Sequence, residues 1–195
     1  FGPMQIMFPM VGTIDDVRAG NAAVEKVKAD LRSEGIPFDE KIKVGIMIEI
    51  PSIAMIADMA ALETDFASVG TNDLTQYLHA VDRMNPKIVS YYQSYSPAMY
   101  RILGKIFKEY NEAGKPISVC GELAGEPLAA IVLFGLGLRK FSMNASKIAH
   151  VKRILSLFTL EETENIAKRV MNLQNQSDVI AYLKAEGAKR EKKLS

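Results

Sequence analysis

The sequence predicts an α/β fold built around a parallel β-sheet. Five short apolar segments recur along the chain, and each is largely apolar on both faces and is followed by a small or polar residue. Strands of this kind are typical of parallel sheets, in which helices cover both faces. Stretches with helical periodicity separate the segments, as expected for successive βαβ units. The predicted strands are Gln5–Phe8, Lys43–Ile48, Phe66–Val69, Ile117–Val119 and Lys140–Met143.

The first two gaps between these strands carry helix signals. Thr13 and Asp16 form a capping-box pattern, with Asp in place of the usual Glu or Gln. Apolar residues then repeat at helical spacing until Gly35, which offers a stop. A second helix is predicted from Ser52 to Leu62.

Helix boundaries are well marked in the second half of the chain. Ser96 and Pro97 are an N-cap and a first-turn proline, and Gly114 ends the helix that they begin. Pro127 opens another helix, which precedes the last predicted strand.

The chain after the last strand is predicted to be helical. One helix is predicted over residues 147–157, and two closing helices follow across about residues 159–185, the first with a capping box of Thr159 and Glu162. The basic residues 188–195 are interpreted as a solvated end.

Two architectures satisfy this order of elements, namely a doubly wound sheet and a (β/α)8 TIM-type barrel. Five strands are too few to close a barrel, which needs eight. The sequence starts at Phe1 without an initiator Met and enters an apolar stretch almost at once. We therefore expect residues 1–195 to be a portion of a longer protein; if the fold is a barrel, they carry about its last five βα units.

The composition fits one globular domain and excludes several classes of function. The chain has 195 residues, of which 48% are hydrophobic and 24% are charged. A net charge of +1 gives no electrostatic reason to expect nucleic-acid or membrane binding. Apolar runs fall short of the roughly 18 residues that cross a bilayer. The single cysteine, Cys120, excludes an internal disulfide and favours a cytoplasmic location.

Polar residues follow four of the predicted strands, and the carboxyl ends of parallel strands share one rim. Glu49 and Asp73 follow neighbouring strands, and a pair of carboxylates suits Mg²⁺ that also holds a phosphorylated substrate. Glu49 could instead be a strand-end carboxylate bonded to a loop amide. Asp73 belongs to an Asn-Asp pair that is also common in turns and helix caps.

Other candidates surround this pair of carboxylates. Asn72 could donate to a substrate oxygen or serve as a turn residue. Arg83 could bind a phosphate as a fork of donors or pair with a surface carboxylate. Most thiols are protonated near neutral pH, so Cys120 could donate a proton, or else fill a small buried space. Gly70 would let the backbone approach a ligand closely.

No dinucleotide or P-loop fingerprint is present, and neither is a serine nucleophile elbow. The strings GIMIEIPS, SVGTNDLTQYLHAVDR, CGELAG and FSMNAS do occur, in this order. They resemble enzyme I of the phosphoenolpyruvate-dependent sugar phosphotransferase system (phosphoenolpyruvate–protein phosphotransferase). The likeness extends to about Leu173.

The resemblance implies a TIM-type barrel that uses Mg²⁺ to transfer the phosphoryl group of phosphoenolpyruvate to a histidine on a separate N-terminal domain, releasing pyruvate. That domain then passes the group to a small histidine-containing phosphocarrier protein, as the first step of sugar uptake. The resemblance also implies a cytoplasmic homodimer. The acceptor domain lies outside this chain, so we expect the fragment alone to be inactive.

The resemblance assigns roles to eight residues of this sequence. Glu49 and Asp73 match the metal carboxylates, and Cys120 matches the proton donor to the enolate. The residues expected to contact the substrate are Met47, Gly70, Thr71, Asn72 and Arg83.

Two other interpretations stay open at this point. GTNDLTQ together with CGE also occurs in pyruvate phosphate dikinase and phosphoenolpyruvate synthase, so the chain could be a fragment of either; both would need an ATP-binding domain elsewhere. The chain could also be a non-catalytic dimerisation module. Its complete set of polar strand-end residues argues against that.

Overall fold

The computed structural model describes residues 4–191 as a five-stranded parallel sheet with helices between the strands. The strands stand side by side in the order of the chain, and each pairs in parallel with the next. The strands are β1 (Gln5–Phe8), β2 (Lys43–Ile48), β3 (Phe66–Gly70), β4 (Ile117–Cys120) and β5 (Lys140–Phe141). All five match predicted strands to within two residues.

Nine α-helices and two short 3-10 helices complete this part of the chain. The α-helices are α1 (Ile14–Ser33), α2 (Pro51–Met55), α3 (Ala57–Glu63), α4 (Thr71–Leu78), α5 (Pro97–Glu112), α6 (Pro127–Gly135), α7 (Ala145–Leu155), α8 (Leu160–Val170) and α9 (Gln176–Glu191). The 3-10 helices are Val89–Tyr91 and Glu122–Gly125.

The predicted caps are present. Thr13 and Asp16 cap α1 reciprocally, and Thr159 and Glu162 do the same for α8. Ser96 caps α5, its hydroxyl accepting a hydrogen bond from Met99 N. Sequence signals of this kind are local, so they carry over directly into the structure.

Two helix predictions need correction. The helix predicted from Ser52 to Leu62 is two helices, because Ile56 leaves the helical conformation with φ −115° and ψ 35°. Of the basic end predicted over residues 188–195, residues 188–191 belong to α9, and Arg190 forms an ion pair with Glu162 at 2.6 Å. Residues 192–195 lie outside the described part of the chain, as does the start at Phe1.

The core lies between the sheet and the helices that follow its strands. The longest buried face belongs to α5, which buries Met99, Tyr100, Ile102, Leu103, Ile106, Phe107 and Tyr110. Each large apolar side chain buried there contributes about 1.5–3 kcal/mol. Helix α6 is buried along most of its length and packs against α8. This packing fixes the strands, and therefore the rim at their carboxyl ends.

The order of the strands bears on the two architectures. A doubly wound sheet reverses its strand order at a switch point, whereas a (β/α)8 barrel adds each strand on the same side. Here the order runs in one direction throughout the five described strands. At the β1 edge, Ile6, Phe8, Val27 and Leu31 line an apolar cavity of about 640 Å³. Among residues 4–191, no helix has the length and hydropathy needed to cross a membrane.

Candidate active site at the carboxyl ends of the strands

Glu49 stands immediately after β2 and is almost wholly buried, with 4% of its surface exposed. Its Oε1 accepts a hydrogen bond of 2.8 Å from Met10 N, in the segment that follows β1. Within residues 4–191 this amide is the only hydrogen-bond donor to the carboxylate. The loop-amide bond considered from the sequence therefore exists, but it engages one carboxylate oxygen and leaves Oε2 for another partner.

Gly70 makes room for that second oxygen. A Cβ atom at Gly70 would lie 2.6 Å from Glu49 Oε2 and 3.1 Å from Met47 Sδ. Real Cβ atoms essentially never approach another atom as closely as 2.6 Å, so the Glu49 carboxylate occupies space that glycine leaves free at position 70. Gly70 is the last residue of β3, and Asp73 follows it by three residues in the first turn of α4.

On the side away from Glu49, the start of α4 is hydrogen-bonded to the end of β4. Thr71 Oγ1 donates a hydrogen bond of 2.9 Å to the carbonyl oxygen of Cys120. Cys120 is half-buried, and its Sγ lies 3.5 Å from the carbonyl oxygen of Val69 as a hydrogen-bond donor. Gly121 follows with φ +96°, a conformation that favours glycine.

Asn72 is held by the chain that follows Cys120. Its Oδ1 accepts a hydrogen bond of 3.1 Å from Glu122 N, so the two N–H bonds of its amide group remain as donors to a ligand. The Tyr92 hydroxyl donates to the carbonyl oxygen of Asn72 at 3.3 Å. Burial raises the pKa of the Tyr92 hydroxyl, which favours the protonated, donating form.

Arg83 and Asp73 form an ion pair with a separation of 3.5 Å between Nη2 and Oδ1. Both side chains are about one-third exposed, so this pair is accessible from solvent. Gln76 Oε1 accepts a hydrogen bond from Arg83 N at 3.1 Å, which ties the Arg83 backbone to α4. The sequence left open that Arg83 pairs with a carboxylate, and this pairing is present. The carboxylate is that of Asp73, the second of the two predicted metal ligands.

The donor chemistry of Glu49 and Asp73 fits Mg²⁺. A buried carboxylate is costly unless it is paired or binds a metal, and Glu49 is buried with one oxygen uncommitted by the described residues. Mg²⁺ typically takes one or two protein carboxylates and fills its other positions with water and substrate oxygens. In the described part of the chain, no group of three or more His, Cys, Asp or Glu could hold a metal ion, so a closed protein cage is not formed there.

The structure brings the predicted residues together at one rim, through the contacts of Gly70, Thr71 and Asn72. Three residues that sequence reasoning missed support them, namely Met10, Gln76 and Tyr92. Asn144, which follows β5 at the same rim, caps α7 with its side chain. It also lines a cavity of about 530 Å³ together with Asn72 and Lys147.

The fold and the site together define an α/β protein with a candidate ligand site at the carboxyl ends of a parallel sheet. A family model described as "PEP-utilising enzyme, PEP-binding domain" matches residues 1–159, and the chain belongs to that family.

Three relatives show how much of a longer protein the chain matches; each is called phosphoenolpyruvate-protein phosphotransferase. The chain is 40% identical over 185 residues to that of Priestia megaterium, covering 95% of this chain and 32% of the relative. It is 39% identical over 182 residues to that of Borreliella burgdorferi (93% and 32%) and 38% identical over 184 residues to that of Bacillus subtilis strain 168 (94% and 32%). The chain therefore spans about a third of the length of the curated relatives it matches.

Proposed function

We propose that this chain is the C-terminal portion of the phosphoenolpyruvate-binding domain of a phosphoenolpyruvate–protein phosphotransferase. The observation that carries this proposal is the buried Glu49 carboxylate, which lies against Gly70. The next residue, Thr71, bonds to Cys120. This arrangement gathers a buried carboxylate, the turn at the start of α4 and a thiol at one rim, which supports the proposed roles in binding metal, phosphate and proton. The family and the names of the relatives support the choice of substrate.

The domain is proposed to be a TIM-type barrel whose earlier βα units belong to the longer protein. The unidirectional strand order supports this architecture. So does the apolar cavity beside β1, because Ile6, Phe8 and Val27 offer a surface against which a preceding βα unit would pack.

The chain's own residues would hold the phosphoryl end of the substrate. Glu49 and Asp73 would hold Mg²⁺, which, when bound, neutralises negative charge on the phosphoryl group and the enolate oxygen. The Asn72 amide group would donate to the substrate, since its carbonyl oxygen is already engaged by Glu122 N. Arg83, next to Asp73, would supply a fork of donors to the phosphate oxygens.

Cys120 would complete the reaction by giving up its proton. When the bond between phosphorus and the enol oxygen breaks, its electron pair stays on that oxygen as an enolate, while an acceptor histidine outside this chain takes the phosphoryl group. The Sγ–H proton then moves to the methylene carbon, which gives the methyl group of pyruvate, and water reprotonates the thiolate.

The remaining parts of the proposal rest on the resemblance of the sequence motifs to enzyme I. The acceptor domain would pass its phosphoryl group to a histidine-containing phosphocarrier protein and so begin sugar uptake. We further propose a cytoplasmic homodimer, and a fragment that is inactive without the acceptor domain.

The experiment that tests this proposal is Glu49→Gln in the full-length protein. Gln keeps the shape of the side chain and an oxygen for the Met10 amide, so the fold is retained while the ligand charge is lost. We expect Mn²⁺ binding, measured by calorimetry, to weaken at least ~10-fold. Pyruvate release from phosphoenolpyruvate should fall on the order of 10²-fold or more.

The matched control is Glu63→Gln. Glu63 is engaged by Arg18 at 2.7 Å on another part of the surface, so its loss should leave both measurements unchanged. If Glu49→Gln leaves metal binding and pyruvate release at the wild-type level, the proposed site is wrong.

A further inference from the structure

We propose that the Thr71 hydroxyl positions Cys120 and does not contact the substrate, although the resemblance implies that Thr71 is a substrate contact. This inference rests on the proposed function of Cys120 as the proton donor. In this proposal the first turn of α4 holds the end of β4 in place.

The hydrogen bonding of Thr71 is already committed. The residue is 1% exposed, and its hydroxyl donates its single proton to the Cys120 carbonyl oxygen at 2.9 Å. Phosphoenolpyruvate is anionic, and its phosphate and carboxylate oxygens can only accept hydrogen bonds from a hydroxyl. The Thr71 hydroxyl therefore cannot donate to the substrate without releasing Cys120.

The space around Gly121 points to the same conclusion. A Cβ atom at Gly121 would lie 2.5 Å from Thr71 Oγ1 and 3.0 Å from Asn72 Oδ1. The backbone of Gly121 thus packs directly on these two side chains, and its φ of +96° brings it there. Because residue 121 is glycine, the start of α4 can pack directly against its backbone.

A second hydrogen bond lies on the far side of Gly121. Glu122 N donates to Asn72 Oδ1 at 3.1 Å, so consecutive residues of α4 hold the residues before and after Gly121. We call this pair of bonds the Thr71–Asn72 clasp. It fixes the backbone on the carboxyl side of Cys120, whose thiol is half-buried.

Loss of the Thr71 hydroxyl should therefore loosen the end of β4 and misplace Sγ. A displacement of about 1 Å at a reacting group costs on the order of 10²-fold in rate. Substrate affinity should change little, because Asn72, Arg83 and the two carboxylates are retained.

The first test is alkylation of Cys120 by iodoacetamide in this chain, where it is the only cysteine. Thr71→Val keeps the side-chain shape but removes the donor, and we expect Cys120 to react several-fold faster. Thr71→Ser keeps the donor and should react at the wild-type rate. The matched control is Thr163→Val, because Thr163 is also buried and its hydroxyl also donates to a backbone carbonyl, that of Leu160; it should leave Cys120 unaffected.

The second test is the kinetics of pyruvate release in the full-length protein. For Thr71→Val we expect kcat to fall about 10²-fold with KM for phosphoenolpyruvate nearly unchanged. A raised KM with an unchanged kcat would instead make Thr71 a substrate contact and overturn the inference. Unchanged alkylation in Thr71→Val would overturn it too. The alkylation result does not require activity, so the inference can fail or survive independently of the proposed function.

Discussion

The contact between Gly70 and Glu49 gives the sharpest prediction. Gly70→Ala places a methyl group 2.6 Å from Glu49 Oε2, whereas ordinary contacts begin at 3.4 Å, so the carboxylate must retreat by about 0.8 Å. The neighbouring atoms cannot absorb this easily, because Glu49 Cβ and Met47 Sδ also lie within 3.1 Å of the new methyl group. Overpacking of this kind costs about 1–3 kcal/mol of unfolding free energy.

Metal binding should suffer more than stability. The Met10 amide fixes Oε1 at 2.8 Å, so a displaced Glu49 either loses that charged hydrogen bond or turns Oε2 away from its position over Gly70. Groups that orient a metal ligand typically contribute 10–100-fold to affinity, so we expect Mn²⁺ to bind about 10–100-fold more weakly. Calorimetric titration of the full-length protein, with urea unfolding beside it, measures both effects.

The control for this substitution is Gly12→Ala. A Cβ atom at Gly12 would meet its nearest neighbour, Ser52 Oγ, at 3.6 Å, an ordinary contact. That variant should bind Mn²⁺ as the wild type does. If Gly70→Ala binds the metal with unchanged affinity while its fold is intact, then Oε2 is not a ligand and the reasoning about Glu49 is refuted.

Two further predictions concern stability. Burial raises the pKa of Tyr110 to about 12, whereas an unfolded tyrosine ionises near pH 10, so stability present below pH 10 is lost between pH 10 and 12 at about 1.4 kcal/mol per pH unit. In urea unfolding from pH 9 to 11, the free energy of unfolding of Tyr110→Phe should fall less steeply with pH than that of the wild type. At neutral pH the variant should be less stable by about 1 kcal/mol, because the bond between Tyr110 and Thr64 is lost. An equal dependence on pH in both proteins would contradict the assignment. Gly135→Ala should destabilise the chain by about 1–3 kcal/mol, because its methyl group would collide with the Thr163 carbonyl where α6 meets α8. Gly187→Ala, whose methyl group has room, should be neutral or stabilising by up to about 1 kcal/mol, and equal effects of the two changes would count against the packing argument.

Much of the fold could be predicted because its signals are local. The five strands are largely apolar and end at small or polar residues, so their positions follow from this pattern, although β1 and β5 contain no fully buried residue. The break at Ile56 could not be predicted, because neither glycine nor proline marks it. The start of α4 has no local sequence signal, since the helix begins directly after Gly70 without a side-chain cap. The direction of strand order is a long-range property, and alternating strands and helices permit either architecture.

The candidate site also has a part that could be predicted from the sequence and a part that could not. Glu49, Asn72 and Asp73 could be proposed from the sequence because strand ends of a parallel sheet meet at one rim. The donor to Glu49 could not, since Met10 acts through a backbone amide that any residue possesses and lies 39 residues away. The Tyr92 contact to Asn72 is likewise a bond to backbone across 20 residues, for which the sequence has no pattern.

Gly70 at the end of β3 and the first three residues of α4 have four different partners, and this constrains how the site can change. Gly70 accommodates Glu49, Thr71 bonds to Cys120, Asn72 bonds to Glu122, and Asp73 pairs with Arg83. Because a helix advances about 100° per residue, a shift of one position would turn the three helical side chains away from their partners at once. The proposed metal carboxylates, the proposed phosphate donors and the thiol are therefore coupled through one helical turn. Effects of substitutions within it should not add, since each residue helps to hold the turn that positions the others.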